Sequence, residues 1–134
     1  MYQIKRNHLV EELQIEDNGK ILELKVDINI DSILHAYTHA QYAIAKASND
    51  AKEAANDNDL GKAEQAMGDA VLGLFEVVFG AEQTEKIVKF YDNKSLEMLG
   101  DIAPFITEVV APKVAEAQQK IEERYKQVRK RGGK

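Results

Sequence analysis

The sequence predicts an α+β protein that is mostly helical: an N-terminal β-hairpin, with Tyr2 and Ile4 as candidates for a third short strand, followed by four to five helices. Three observations lead there. An Asn-Gly pair at 18–19 separates two runs of alternating apolar residues, the pattern of a hairpin with a tight two-residue turn. From residue 32 onward the apolar spacing changes from two to three and four, the period of a helix. All four phenylalanines and both prolines fall within residues 72–114, and with no Trp or Cys in the chain the core is expected to centre there.

The hairpin, residues 9–30, carries its own register. If Asn18 and Gly19 are the turn residues, Ile15 faces Leu22, Leu13 faces Leu24, Glu11 faces Val26 and Leu9 faces Ile28 on one side of the sheet. The other side pairs Glu16 with Ile21, Gln14 with Glu23 and Glu12 with Lys25, so one face is apolar and one is wet. Two strands alone are marginal, and the apolar face needs helices against it.

Asp31 or Ser32 is the expected cap of a first helix over 32–56, whose seam is Ile33, Tyr37, Ala40, Ile44, Ala47, Ala51 and Ala54. These are mostly small side chains, which let another helix approach closely but bury little area each. A second helix over 60–79 becomes apolar nearly all round in LGLFEVVF, as the centre of a bundle or a face kept for a partner would, and Gly80 is placed to stop it. A short helix over 81–91 follows, then a turn at Asp92-Asn93. Ser95 is the expected cap of a helix over 95–103, which Pro104 ends. A last segment over 104–130, kinked near 112, carries the narrow stripe Val114, Ala117, Ile121, Tyr125 and Val128, with a frayed tail at 131–134. A break at each proline would expose the short run from Phe105 to Val110.

Composition narrows the function classes. With 134 residues, 44% hydrophobic and 31% charged, one soluble domain over 1–130 is expected. Zero cysteines exclude disulfides and thiolate chemistry, and no apolar run approaches the roughly 20 residues of a membrane helix, so a cytoplasmic protein without membrane contact is the expectation. The net charge of −5 hides an asymmetry, because Arg124, Lys126, Arg129, Lys130, Arg131 and Lys134 end the chain with no acid among them. The acidic remainder argues against nucleic-acid binding. The basic end suits either a helix C-terminus or an acidic partner.

Chemistry-bearing patterns are sparse. His35 and His39 stand four apart, as two zinc ligands do, but the glutamate of a His-Glu-x-x-His site is absent and no third ligand is marked. Ser32, Ser48 and Ser95 lie outside any nucleophile elbow, and no glycine cluster cradles a phosphate. The 23 carboxylates are mostly spread along helices at solvent-facing positions. Neither an enzyme nor a cofactor is expected.

Within 72–114, the order Leu74-Phe75, Phe79-Gly80, Ile87-Val88-Lys89-Phe90-Tyr91, Glu97-Met98-Leu99, Pro104-Phe105-Ile106 and Val110-Ala111-Pro112-Lys113 resembles the tail assembly chaperones of tailed phages and prophages of Gram-positive bacteria. The resemblance covers roughly a third of the chain. It implies binding of the helical, aggregation-prone tape measure protein, recruitment of tail tube subunits and self-association, in the host cytoplasm and with absence from the finished virion. A longer product made by translational frameshift is a further implication. Phe75, Phe79, Phe90, Phe105, Ile106, Val109 and Val110 are then candidates for partner contact, with Lys126, Arg129, Lys130 and Arg131 as basic contacts. Ordinary core burial is the competing reading of the same apolar side chains. A structural tail completion or connector protein is a second class of function, and a general helical interaction module a third.

Overall fold

A computed structural model describes residues 1–4, 6 and 8–132, the last four of these in backbone only. Strands β1 (His8–Asp17) and β2 (Lys20–Asn29) form a two-stranded antiparallel sheet, and its register is the one the turn dictates, from Ile15 opposite Leu22 to Leu9 opposite Ile28. Asn18 and Gly19 have φ of 49° and 82°, the two positive values that a type I′ turn requires. Leu9, Leu24 and Val26 are buried on the apolar face, with Leu13, Ile15, Leu22 and Ile28 packed around them. Among the described residues no third strand forms. Tyr2 and Ile4 are exposed and unpaired, and on the outer edge of β2 the backbone of Lys25 is already bonded to the side chain of Gln83.

Helices α1 (Ile30–Lys52), α2 (Asp57–Phe79), α3 (Ala81–Phe90), α4 (Ser95–Phe105) and α5 (Ala111–Gly132) follow, with a π turn at Ile106–Val110 joining the last two into one run. Four separate helices therefore follow the hairpin, and the architecture is mostly helical α+β. The caps differ from the expected ones. Asn29, not Asp31 or Ser32, starts α1, its Oδ1 accepting from the Ser32 N–H at 3.4 Å, because the chain leaves β2 directly into the helix. Asn56 starts α2 three residues early by accepting from the Asp59 N–H at 2.8 Å. Lys94 precedes α4 without a side-chain cap bond, and Ser95 lies inside the helix against Gly68. Asp92 and Asn93, at φ of 52° and 61°, make the reversal between α3 and α4.

The prolines do not break the chain into segments. Pro104 lies within α4 on an exposed face, where the carbonyl that its missing N–H leaves free can meet water. Pro112 follows the π turn, in which the Ala111 N–H donates to the Ile106 carbonyl five residues back. The buried positions explain this winding. Met98, Ile102, Ile106, Val110 and Val114 recur every four residues, and in an unbroken α-helix each step of four drifts by about 40° around the axis. The wider π turn takes up the drift, so the whole series faces the core.

That core centres on α2. Val71, Leu74, Phe75 and Val78 are buried together with Val26, Ile30, Ile87, Met98, Ile102 and Val110. The all-round apolarity of LGLFEVVF follows from α2 touching α1, α3, α4 and β2 at once. Gln83 clamps α3 to the sheet: its Oε1 accepts from the Lys25 N–H at 2.7 Å, and its Nε2 donates to the Lys25 carbonyl at 2.6 Å and the Phe79 carbonyl at 2.8 Å. Gln83→Ala is expected to lower stability by about 1–3 kcal/mol and to speed amide exchange at Lys25 before any other strand position.

Candidate functional site

The aromatic residues of 72–114 fall into two groups. Phe75 and Phe79 meet edge-on at 6.0 Å between centroids, and Phe79 stacks on Phe105 at 6.0 Å with the rings 22° apart. Phe90 instead packs edge-on against Tyr91 at 5.6 Å. Phe75, Phe79, Ile106 and Val110 are buried, with Phe75 and Val110 at 0% exposure, whereas Phe90, Phe105 and Val109 are half-buried along the rim of the core. The expected exposure of the run from Phe105 to Val110 is corrected accordingly: two of its apolar side chains are core, because the π turn holds them there. Lys126 is exposed on the outer half of α5, and the side chains of Arg129, Lys130 and Arg131 lie outside the described residues.

Two apolar surfaces remain open that single-residue reasoning did not mark. The first is a groove of about 470 Å³ between α1 and α2, walled by Ala36, Ala40, Ala43, Ala66, Ala70 and Gly73, with Val77 at one end and His39 and Asp69 at its lip. The second is a cleft of about 510 Å³ where the end of α1, the start of α2 and the start of α4 meet, lined by Ala51, Leu60, Ala63, Met67 and Leu96 among polar neighbours. The small-residue seam of the first helix was the available signal for the groove. The cleft had none, since it depends on where α4 docks.

Along α5, Val114 and Ala117 are buried against the body, and beyond them Ile121, Tyr125 and Val128 continue the same stripe in the open. His35 and His39 are both exposed on α1, and among the described residues no group of three His, Cys, Asp or Glu gathers as for a metal ion. Among those residues, too, no helix is long and apolar enough to cross a membrane.

Among the described residues one titratable group is strongly perturbed. Burial pushes the Tyr91 phenol well above its usual range, helped by its O–H donating to Asp101 Oδ2 at 2.9 Å and by the negative charges of Asp101, Asp17 and Glu97. An unfolded tyrosine ionises near pH 10 while the folded one keeps its proton, so above that pH the unfolded state binds fewer protons and stability falls. The contribution is complete below about pH 10 and is lost as pH climbs toward the folded value. Tyr91→Phe should cost about 1 kcal/mol at neutral pH and flatten the fall in urea midpoint between about pH 9 and 11.

No family model matches the chain, and no curated protein and no solved structure matches it.

Proposed function

We propose that the protein is a phage tail assembly chaperone that holds the tape measure protein during tail morphogenesis and helps recruit tail tube subunits. The resemblance carried by 72–114 supports this reading, and the observation that gives it a surface is the open groove between α1 and α2. A client of long amphipathic helices needs a partner face that its backbone can approach closely, and alanines with a glycine provide one. Weak contact repeated along a long client needs no deep pocket and no reacting group. The half-buried Phe105 and Val109 lie on the rim of the core around α2, whose alanines form one wall of the groove.

The test is co-expression with the tape measure protein of the same phage, scored as the fraction of client left soluble after centrifugation. Ala66 is exposed, so Ala66→Arg fills the groove without entering the core. The variant is expected to keep its unfolding midpoint and to lose at least half of the client-holding effect. A client that is equally soluble with and without the wild-type protein would sink the reading. Mass spectrometry of purified virions should find the protein absent, whereas a stoichiometric presence would favour a tail completion or connector component.

A further inference from the structure

We propose that the outer edge of β1 takes up an extended segment of another protein, one that alternates apolar and basic residues, as an added strand of the sheet. The inference rests on the hairpin and the chain beside it, apart from the groove between α1 and α2, and does not depend on the chaperone reading.

The edge is open by the phase of the ladder. In an antiparallel pair, successive residues turn their backbone N–H and C=O alternately toward the partner strand and away from it. Lys25 turns both groups away from β1, where Gln83 bonds them, and Lys25 stands opposite Glu12. Glu12 therefore faces outward on the other edge, and Val10 and Gln14 face outward with it. Among the described residues no hydrogen bond reaches the backbone of these three on that side.

The two edges are unlike. β2 is the strand that α1, α2 and α3 touch, and Gln83 covers the middle of its edge. β1 has neither proline, lysine nor bulge along its ten residues, so charge is what remains to guard it. That charge is of one sign. β1 carries Glu11, Glu12, Glu16 and Asp17, and pairing with the same strand of a second copy would set carboxylate against carboxylate. A basic strand meets the opposite sign and is not repelled.

The surroundings of the edge select the same occupant. Beside the end of β1 lies a hollow of about 260 Å³, where Glu16 and Asp17 face Asp92, Glu97 and Asp101, with Lys94 as the cation among them. Phe90 and Tyr91 supply aromatic walls, and the Tyr91 O–H fixes Asp101 through its bond to Oδ2 at 2.9 Å. Carboxylates beside aromatic rings suit the guanidinium or ammonium group of an incoming side chain. The strand residues lining the hollow come from β1, so it serves a segment laid along that edge.

The sheet also dictates the pattern. Leu13 and Ile15 are half-buried on its apolar face, whereas Glu12 and Glu16 project from the other. An added strand continues both faces, placing apolar side chains next to Leu13 and Ile15 and basic ones next to Glu12 and Glu16. Pairing along His8 to Gln14 spans about 20 Å and takes a segment of about seven residues.

The test is fluorescence anisotropy on the full chain with the labelled peptide Lys-Val-Arg-Val-Lys-Val-Arg at low salt. Binding is expected with a Kd of about 10–100 μM, weakening as salt rises. The scrambled peptide Val-Val-Val-Lys-Arg-Lys-Arg has the same composition and charge without the alternation, and should bind at least about tenfold more weakly. Glu16 and Glu97 are exposed, so Glu16→Lys and Glu97→Lys should keep the urea midpoint and each weaken binding about fivefold or more. Amide exchange read by NMR should slow at Val10, Glu12 and Gln14, and stay as it was at Glu11 and Leu13, which are already paired with β2. No binding at about 1 mM peptide would overturn the proposal. So would equal binding of the scrambled peptide, which means contact by charge alone, unchanged affinity in both lysine variants, or exchange at Val10, Glu12 and Gln14 that the peptide does not slow.

Discussion

Phe75→Ala is expected to remove about 3–5 kcal/mol, a large part of the 5–15 kcal/mol available to a domain of this size. The ring is fully buried in α2, where the hairpin, α3 and α4 converge, and it meets Phe79 edge-on. Those walls belong to different elements and cannot all move inward, so a cavity remains and its cost adds to the lost transfer energy. Urea unfolding should show a much lower midpoint with an unchanged slope. Phe105→Ala is the control. Its ring is half-buried and has one stacking partner, so its loss should be clearly the smaller of the two. Equal losses would show that Phe105 is core in the same sense as Phe75.

The second large effect belongs to Gly80. It lies at φ 83° and ψ 162°, a region open in practice to glycine alone, and it serves two helices. Its N–H donates to the Glu76 carbonyl, closing α2, and its carbonyl accepts from the Thr84 N–H at 3.0 Å and the Thr84 hydroxyl at 2.7 Å, opening α3. Nothing lies within 4 Å of where a Cβ would stand, so Gly80→Ala meets no obstacle in space. Its expected cost of about 1–3 kcal/mol is backbone strain alone. Replacing Gly80 with D-alanine by chemical synthesis should restore the stability, which a steric clash would not allow.

Much of the fold was legible because its rules are local. Period-two alternation and an Asn-Gly turn leave the hairpin one register, since a slip by one residue would turn every apolar side chain to water. The helices announce themselves by spacing, and Gly80 and Asp92-Asn93 by their tolerance of positive φ. The continuity of α4 with α5 was also written in the chain, as buried residues every four positions, but two prolines are a louder signal for a break. Which aromatics stay half-exposed was not legible, because Phe105 depends on how α4 lies across α2, a contact between residues far apart in sequence. The end cleft is a product of the same docking. The stripe on α5 was visible, whereas its lack of a cover over the outer half is a fact of tertiary structure.

The π turn has a mechanical consequence for that stripe. It carries the one residue by which the α4–α5 run departs from an ordinary α-helix. Wound as plain α with the same residues, the run would swing everything after Val110 by about 100° about its axis. Val114 and Ala117 would leave their seats, and Ile121, Tyr125 and Val128 would look in another direction. Pro112 weights the choice, since it has no N–H for the Glu108 carbonyl that plain α winding would offer it. The heading of the outer helix is thus set like a rudder, by a linkage some ten residues inboard of the surface that it aims.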